Sequence, residues 1–117
     1  MNILLDALNW LAVPAHWLGE SGILVRATEH LGLTLLIVAL AALIALPLGT
    51  WIGHTGRGRW LVSATGAARA VPTLGVLTLA GLWLGIGLAA PTLALLILAI
   101  PPLLSATYSG IASTPRA

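Results

Sequence analysis

Three stretches of the chain carry no charged side chain: residues 31–53 (LGLTLLIVALAALIALPLGTWIG), residues 70–90 (AVPTLGVLTLAGLWLGIGLAA) and residues 92–112 (TLALLILAIPPLLSATYSGIA). At about 1.5 Å of rise per residue, each is long enough as a helix to reach across a hydrocarbon layer about 30 Å thick. The pattern predicts three membrane-spanning helices. Between the first two lies HTGRGRW, residues 54–60, where Gly56 and Gly58 break the apolar run and Arg57 and Arg59 are costly to place in lipid; it reads as a loop. LVSATGAAR, residues 61–69, reads as a mixed segment starting the second helix at the interface. Pro91 punctuates the end of that helix, and the very short turn there makes the second and third spans antiparallel neighbours. Residues 1–30 contain only short apolar runs, interrupted by Asp6, Pro14, Glu20, Arg26 and Glu29. They read as an extramembrane or interfacial lead-in. No basic region precedes Ile3–Leu5 and no clear small-residue cleavage site follows, so a secretory signal peptide is disfavoured.

Composition agrees with a membrane protein. Charged residues make up 7% of the chain, hydrophobic residues 59%, and the mean hydropathy is +1.05, which a water-soluble domain could not cover with a polar surface. The chain has no Cys, so disulfides, thiolate metal sites and cysteine nucleophiles drop out together. Its basic balance rests on five Arg without a cluster, which argues against nucleic acid and turns basicity into a question of membrane orientation. Arg57, Arg59, Arg69 and Arg116 fall on one side of the three spans, whereas in the lead-in Arg26 stands against Asp6, Glu20 and Glu29. The positive-inside rule places the N-terminus outside and the C-terminus in the cytoplasm. Trp51, Trp60 and Tyr108 then fall near the inner interface and Trp83 towards the outer one.

No Asp or Glu lies within the spans to carry a proton or bind Na⁺, which weakens the case for a coupled carrier. There is no Lys, hence no P-loop lysine, and GHTGRGR has no phosphate-cradling spacing; ATP, if used, binds another subunit. His16, His30 and His54 stand alone without a ligand set, so no metal or other cofactor is expected.

The prolines are more informative. Pro47 falls late in the first span, Pro72 early in the second, and Pro101 with Pro102 midway in the third. Each removes an N–H donor and crowds the preceding turn, so all three helices are expected to bend. Bent helices with freed carbonyls suit a bundle interior or a solvated path more than a simple anchor. Gly81 and Gly85 form a G-x-x-x-G pair, a pattern that permits close helix contact.

Several blocks together carry a resemblance: HL-x-LT at 30–34, LPLG at 46–49, VPTL at 71–74 and AIPPLL-x-x-TYSGI at 99–111, with the lead-in NW…GI…R…EHL from Asn9 to Leu31. In these the chain resembles the permease subunit of bacterial binding-protein-dependent ABC importers, in the osmoprotectant branch for glycine betaine, carnitine, choline and proline-like solutes. The resemblance runs from about Glu29 to the last residue. It implies the all-α fold of a type I importer permease in the bacterial inner (plasma) membrane, with residues 31–117 as the N-terminal portion of its transmembrane domain. It also implies cytoplasmic ATPase subunits, an extracytoplasmic solute-binding protein and a second permease subunit as partners. In such permeases the third core helix leads to a cytoplasmic loop with an EAA-type motif and a coupling helix. Tyr108, Gly110, Ile111 and Pro115 match the lead-in to that loop, so Pro115 and Arg116 are expected to start it, with the match truncated before the EAA-type coupling segment.

The expected function is therefore that of a membrane subunit, not an enzyme, which forms part of the translocation path of an ATP-driven importer for osmoprotectants. Pro47, Pro72, Pro101 and Pro102 are its bending points, and Thr73, Thr78, Ser105 and Thr107 are candidates to face the path. Two other readings stay open: an importer permease for another small solute, such as an amino acid or phosphonate, and a complete small membrane scaffold or regulator.

Overall fold

The computed structural model describes residues 2–116, and all the regular elements among them are helical. They are α1 (Ile3–Leu11), a 3₁₀ turn (Pro14–His16), α2 (Ile23–Thr55), α3 (Arg59–Ala68), α4 (Thr73–Leu84) and α5 (Ala89–Ala112). Two compact units divide the chain, Met1–Leu35 and Leu36–Ala117, and α2 runs through both.

In the first unit α1 carries Leu4, Leu8 and Leu11 at helical spacing, on the side opposite Asp6 and Asn9. The three leucines are exposed. The chain then turns at Pro14, and two side-chain bonds hold the turn. His16 Nδ1 meets the Trp10 carbonyl at 2.6 Å, and Trp17 Nε1 donates to the Leu11 carbonyl at 2.6 Å. A carbonyl can only accept, so His16 Nδ1 carries the proton. The same imidazole stacks on the Trp10 ring, with centroids 4.0 Å apart.

α2 begins well before residue 31, so the expected boundary of the lead-in at residue 30 lies inside a continuous helix. Charges set where a helix may enter lipid, but they do not end helical hydrogen bonding. Arg26 Nη1 donates to Glu29 Oε2 at 2.9 Å, one turn along the helix. Both side chains are mostly exposed, 66% and 59%, so the pair is screened. Glu29→Gln is expected to change unfolding stability by no more than about 0.5 kcal/mol, measured by thermal denaturation in detergent.

The expected loop at 54–60 is shorter in the structure, because α2 continues to Thr55 and α3 starts at Arg59. The expected continuous helix at 70–90 is absent. α3 and α4 are bent by 93° across the break between them, and α4 itself ends at Leu84. Pro72 caps α4 in an extended conformation, φ −63° and ψ 126°, and its ring disfavours helical geometry at Val71. Gly85 ends α4 at φ +80°, a backbone conformation that L side chains rarely adopt. Pro91 lies within the first turn of α5 and does not close the preceding helix, because an N–H is unneeded there. α2 and α5 are each long and apolar enough to cross a membrane, and α3 with α4 makes a third crossing if the bent pair counts as one span.

The core of the second unit forms where α2, α3 and α5 meet. Ala45, Ile52 and Leu104 are buried there, flanked by Leu48, Leu61, Val62, Ile100, Leu103 and Tyr108. Tyr108 thus packs partly buried against the core, and all five Trp are exposed. On α2, Ala41, Ala45, Gly49 and Gly53 recur every fourth residue and are buried. This stripe of small residues lets α5 come close: a Cβ built on Gly49 would lie 2.8 Å from Thr107 Cβ, and one on Gly53 would lie 2.7 Å from Ile111 Cγ2.

The Gly81/Gly85 pair does not have this role. A Cβ on Gly81 would meet nothing within 4 Å, and Gly85 lies outside the helix. α4 packs on α5 through Ala80, against Ala90 and Ala94. Gly81→Ala is therefore expected to stabilise the fold by about 0.5–1 kcal/mol through helix propensity alone, read as a rise in the thermal midpoint.

Candidate functional site

The break between α3 and α4 leaves a cleft against the middle of α5. Its volume is about 380 Å³, and its lining comes from three places: Ala68 and Arg69 at the end of α3, Val71, Thr73 and Val76 around the start of α4, and Leu95, Ile97, Leu98, Pro101 and Pro102 on α5. The size is within the range of small-molecule sites, about 300–1,000 Å³. The walls are aliphatic, and Arg69 supplies the only charged side chain in the lining. The sequence accounts for the cleft. Pro72 lies at the break between α3 and α4, where its missing N–H and its ring disfavour a continuous helix, and the cleft opens beside that break.

Three of the four expected bending prolines, Pro72, Pro101 and Pro102, lie at or beside this cleft. Pro72 is at the observed break, whereas α2 runs without interruption through Pro47, as α5 does through Pro101 and Pro102. The hydroxyl residues are dispersed. Thr73 lines the cleft. Thr78 Oγ1 donates to the Leu74 carbonyl at 2.7 Å, within its own helix. Thr107 Oγ1 donates to the Leu103 carbonyl at 2.8 Å, and the same side chain packs on Gly49. Ser105 is half-buried on α5. Thr65, a buried polar residue not singled out in the sequence, donates to the Val62 carbonyl at 2.6 Å and so stays within α3.

Pro115 and Arg116 lie in a second, smaller cleft beside Gly53 and His54. Arg116 Nη2 donates to the His54 carbonyl at 3.2 Å, placing a cation at the C-terminal end of α2, where the helix dipole is negative. Among the described residues no three His, Asp or Glu side chains come together as a metal site.

Two curated proteins of Listeria monocytogenes are similar to the chain, both the carnitine transport permease protein OpuCD, one of them from serotype 1/2a (strain 10403S). Each is 33% identical over 75 residues, which is 63% of this chain and 34% of the relative. The chain spans about a third of the length of the curated relatives it matches. No protein-family profile matches it, and no solved structure does. The expected resemblance to a transport permease is thus met by similarity to a carnitine transport permease.

Proposed function

We propose that the chain is part of the membrane permease of an ATP-driven importer for osmoprotectants such as glycine betaine, carnitine or choline. The similarity to a carnitine transport permease over 75 residues carries this reading. The bent α3–α4 pair and the cleft it opens on α5 support it, since broken helices are tolerated in lipid where they face protein or a solvated path. Cytoplasmic ATPase subunits, an extracytoplasmic binding protein and a second permease subunit complete the machine. In it, ATP-driven rocking of these helices exposes the path to one side and then the other, with Pro72 and the Pro101–Pro102 pair as bending points. No residue of the chain is catalytic.

The four arginines at 57, 59, 69 and 116 put the α2–α3 loop and the end of α5 in the cytoplasm, and Pro115 and Arg116 begin the segment that leads to the ATPase. Because the chain has no Cys, single-cysteine labelling reads this orientation directly. In intact cells a membrane-impermeant maleimide is expected to label Asn9→Cys, and to label Thr55→Cys only after permeabilisation. The opposite pattern reverses the topology.

Function is tested in the host. Deleting the gene is expected to abolish energy-dependent uptake of radiolabelled glycine betaine or carnitine after osmotic upshift, in a background lacking other carriers for them. Undiminished uptake of both, with loss of amino-acid or phosphonate uptake, would move the chain to a different importer branch.

A further inference from the structure

α1 buries none of its residues, and Leu4, Leu8 and Leu11 stand 76%, 62% and 43% exposed on one side of it, with Asp6 and Asn9 on the other. A nine-residue helix is too short to hold its shape in water by hydrogen bonding alone, and Asn2 at its start makes no side-chain capping bond. The stability of α1 therefore depends on what its leucine face meets.

Trp17 decides where that face can be. Its indole Nε1 donates to the Leu11 carbonyl at the end of α1, and its own carbonyl accepts the Leu24 N–H, at 3.3 Å, in the first turn of α2. Gly22 leaves room for this approach, since a Cβ built there would lie 2.6 Å from the Trp17 carbonyl oxygen. One residue thus fastens the end of α1 to the start of a helix long and apolar enough to cross a membrane. With 33 residues α2 is about 50 Å long, against a hydrocarbon layer about 30 Å thick, and its uncharged stretch begins only at Leu31. Its first turns, with Arg26 and Glu29, stand among the lipid headgroups, and the end of α1 is held at the same level. Trp10 and Trp17, both exposed, lie at this junction, and indole rings favour that layer.

From this arrangement we infer that α1 lies in the plane of the membrane surface, its leucine face in the lipid of the leaflet where α2 starts and Asp6 and Asn9 towards water. Amphipathic helices in this position seat their apolar face about 5–10 Å into the boundary between headgroups and acyl chains. The attraction is apolar: Asp6 is the only charged side chain of α1, so an anionic surface gives it no electrostatic gain. The inference stands apart from the importer reading, because it needs only that α2 crosses the membrane.

The test uses the full chain in phosphatidylcholine nanodiscs, with single spin labels on Leu8→Cys or Asn9→Cys and collisions measured with oxygen and with a water-soluble nickel chelate. The oxygen-to-nickel ratio is expected to be about tenfold higher at position 8 than at position 9, as for a side chain seated about 5–10 Å below the surface beside one facing water. Adding phosphatidylglycerol is expected to leave both ratios unchanged. Leu8→Asp is expected to speed amide hydrogen exchange of residues 6–11 about tenfold or more, through the lost burial of one leucine.

Equal nickel access at the two positions would overturn the seat in lipid, and a Leu8 label shielded from both reagents would put protein on that face instead. An oxygen preference that appears only with phosphatidylglycerol would overturn the apolar attraction, and unchanged exchange in Leu8→Asp would show that the leucine face does not hold the helix. The two labels on α1 decide the matter even where the aspartate variant does not fold.

Discussion

Gly49→Val is expected to separate α2 from α5 and to lower the yield of folded, monodisperse protein severely. Even the Cβ of alanine would sit 2.8 Å from Thr107 Cβ and 3.1 Å from the Leu104 carbonyl oxygen. Neither is the free end of a flexible side chain, so relief requires the helices to move apart. Overpacking of this kind costs about 1–3 kcal/mol for a small addition, and a β-branched side chain adds two more methyl groups to it. Gly53→Val meets Ile111 in the same way. Helix propensity alone would favour alanine, because glycine inside a helix is worse than alanine by about 0.5–1 kcal/mol. The two effects separate by position: alanine at Gly49 is expected to lower the thermal midpoint, and alanine at Gly81 to raise it. Gel filtration and circular dichroism in detergent read both. A Gly49→Ala chain as stable as the unaltered one would mean that α2 and α5 do not approach as described.

The second large effect is expected at Pro72. Alanine there supplies the missing N–H and removes the ring that keeps Val71 out of helical geometry, so helical structure can propagate from α3 towards α4. Spin labels at Ala64 and Leu82 are expected to move apart as the 93° bend opens, a change that pulsed electron paramagnetic resonance resolves. In the proposed importer, the same substitution is expected to slow solute uptake on the order of tenfold, since the proposed cycle bends the chain there. An unchanged distance distribution would assign the bend to packing alone, and unchanged uptake would remove Pro72 from the mechanism.

Much of this was written in single residues. The C-terminal ends of α2 and α5 lie close to where the first and third apolar runs stop. α5 ends at Ala112, the last residue of the third uncharged stretch, and α2 ends at Thr55, two residues past the first. The early start of α2 was hidden because Arg26 and Glu29 look like an interruption in hydropathy, although on a helix they form a one-turn pair. The break after α3 was carried by Pro72 and the residue before it, a two-residue signal inside a long apolar run.

The helix interface was the least legible feature. G-x-x-x-G drew attention to Gly81 and Gly85, whereas close contact depends on which face meets a neighbour. The stripe that does so begins as Ala41 and Ala45 and becomes glycine only at 49 and 53. Its spacing of four was visible, and its partner on α5 was not. The cleft had the same difficulty. Pro101 and Pro102 were legible in the sequence, but only the fold puts them with Arg69 in the lining of one cleft.

The proposed role of these helices in osmoprotectant import is tested most directly by complementation. Cells lacking the gene and other betaine carriers are supplied with the unaltered gene, with Gly49→Val or with Gly81→Ala, and accumulation of radiolabelled carnitine and glycine betaine is followed after osmotic upshift. Restoration by the unaltered gene and by Gly81→Ala, with loss in Gly49→Val, is the predicted result. Accumulation that is the same with and without the gene would contradict it.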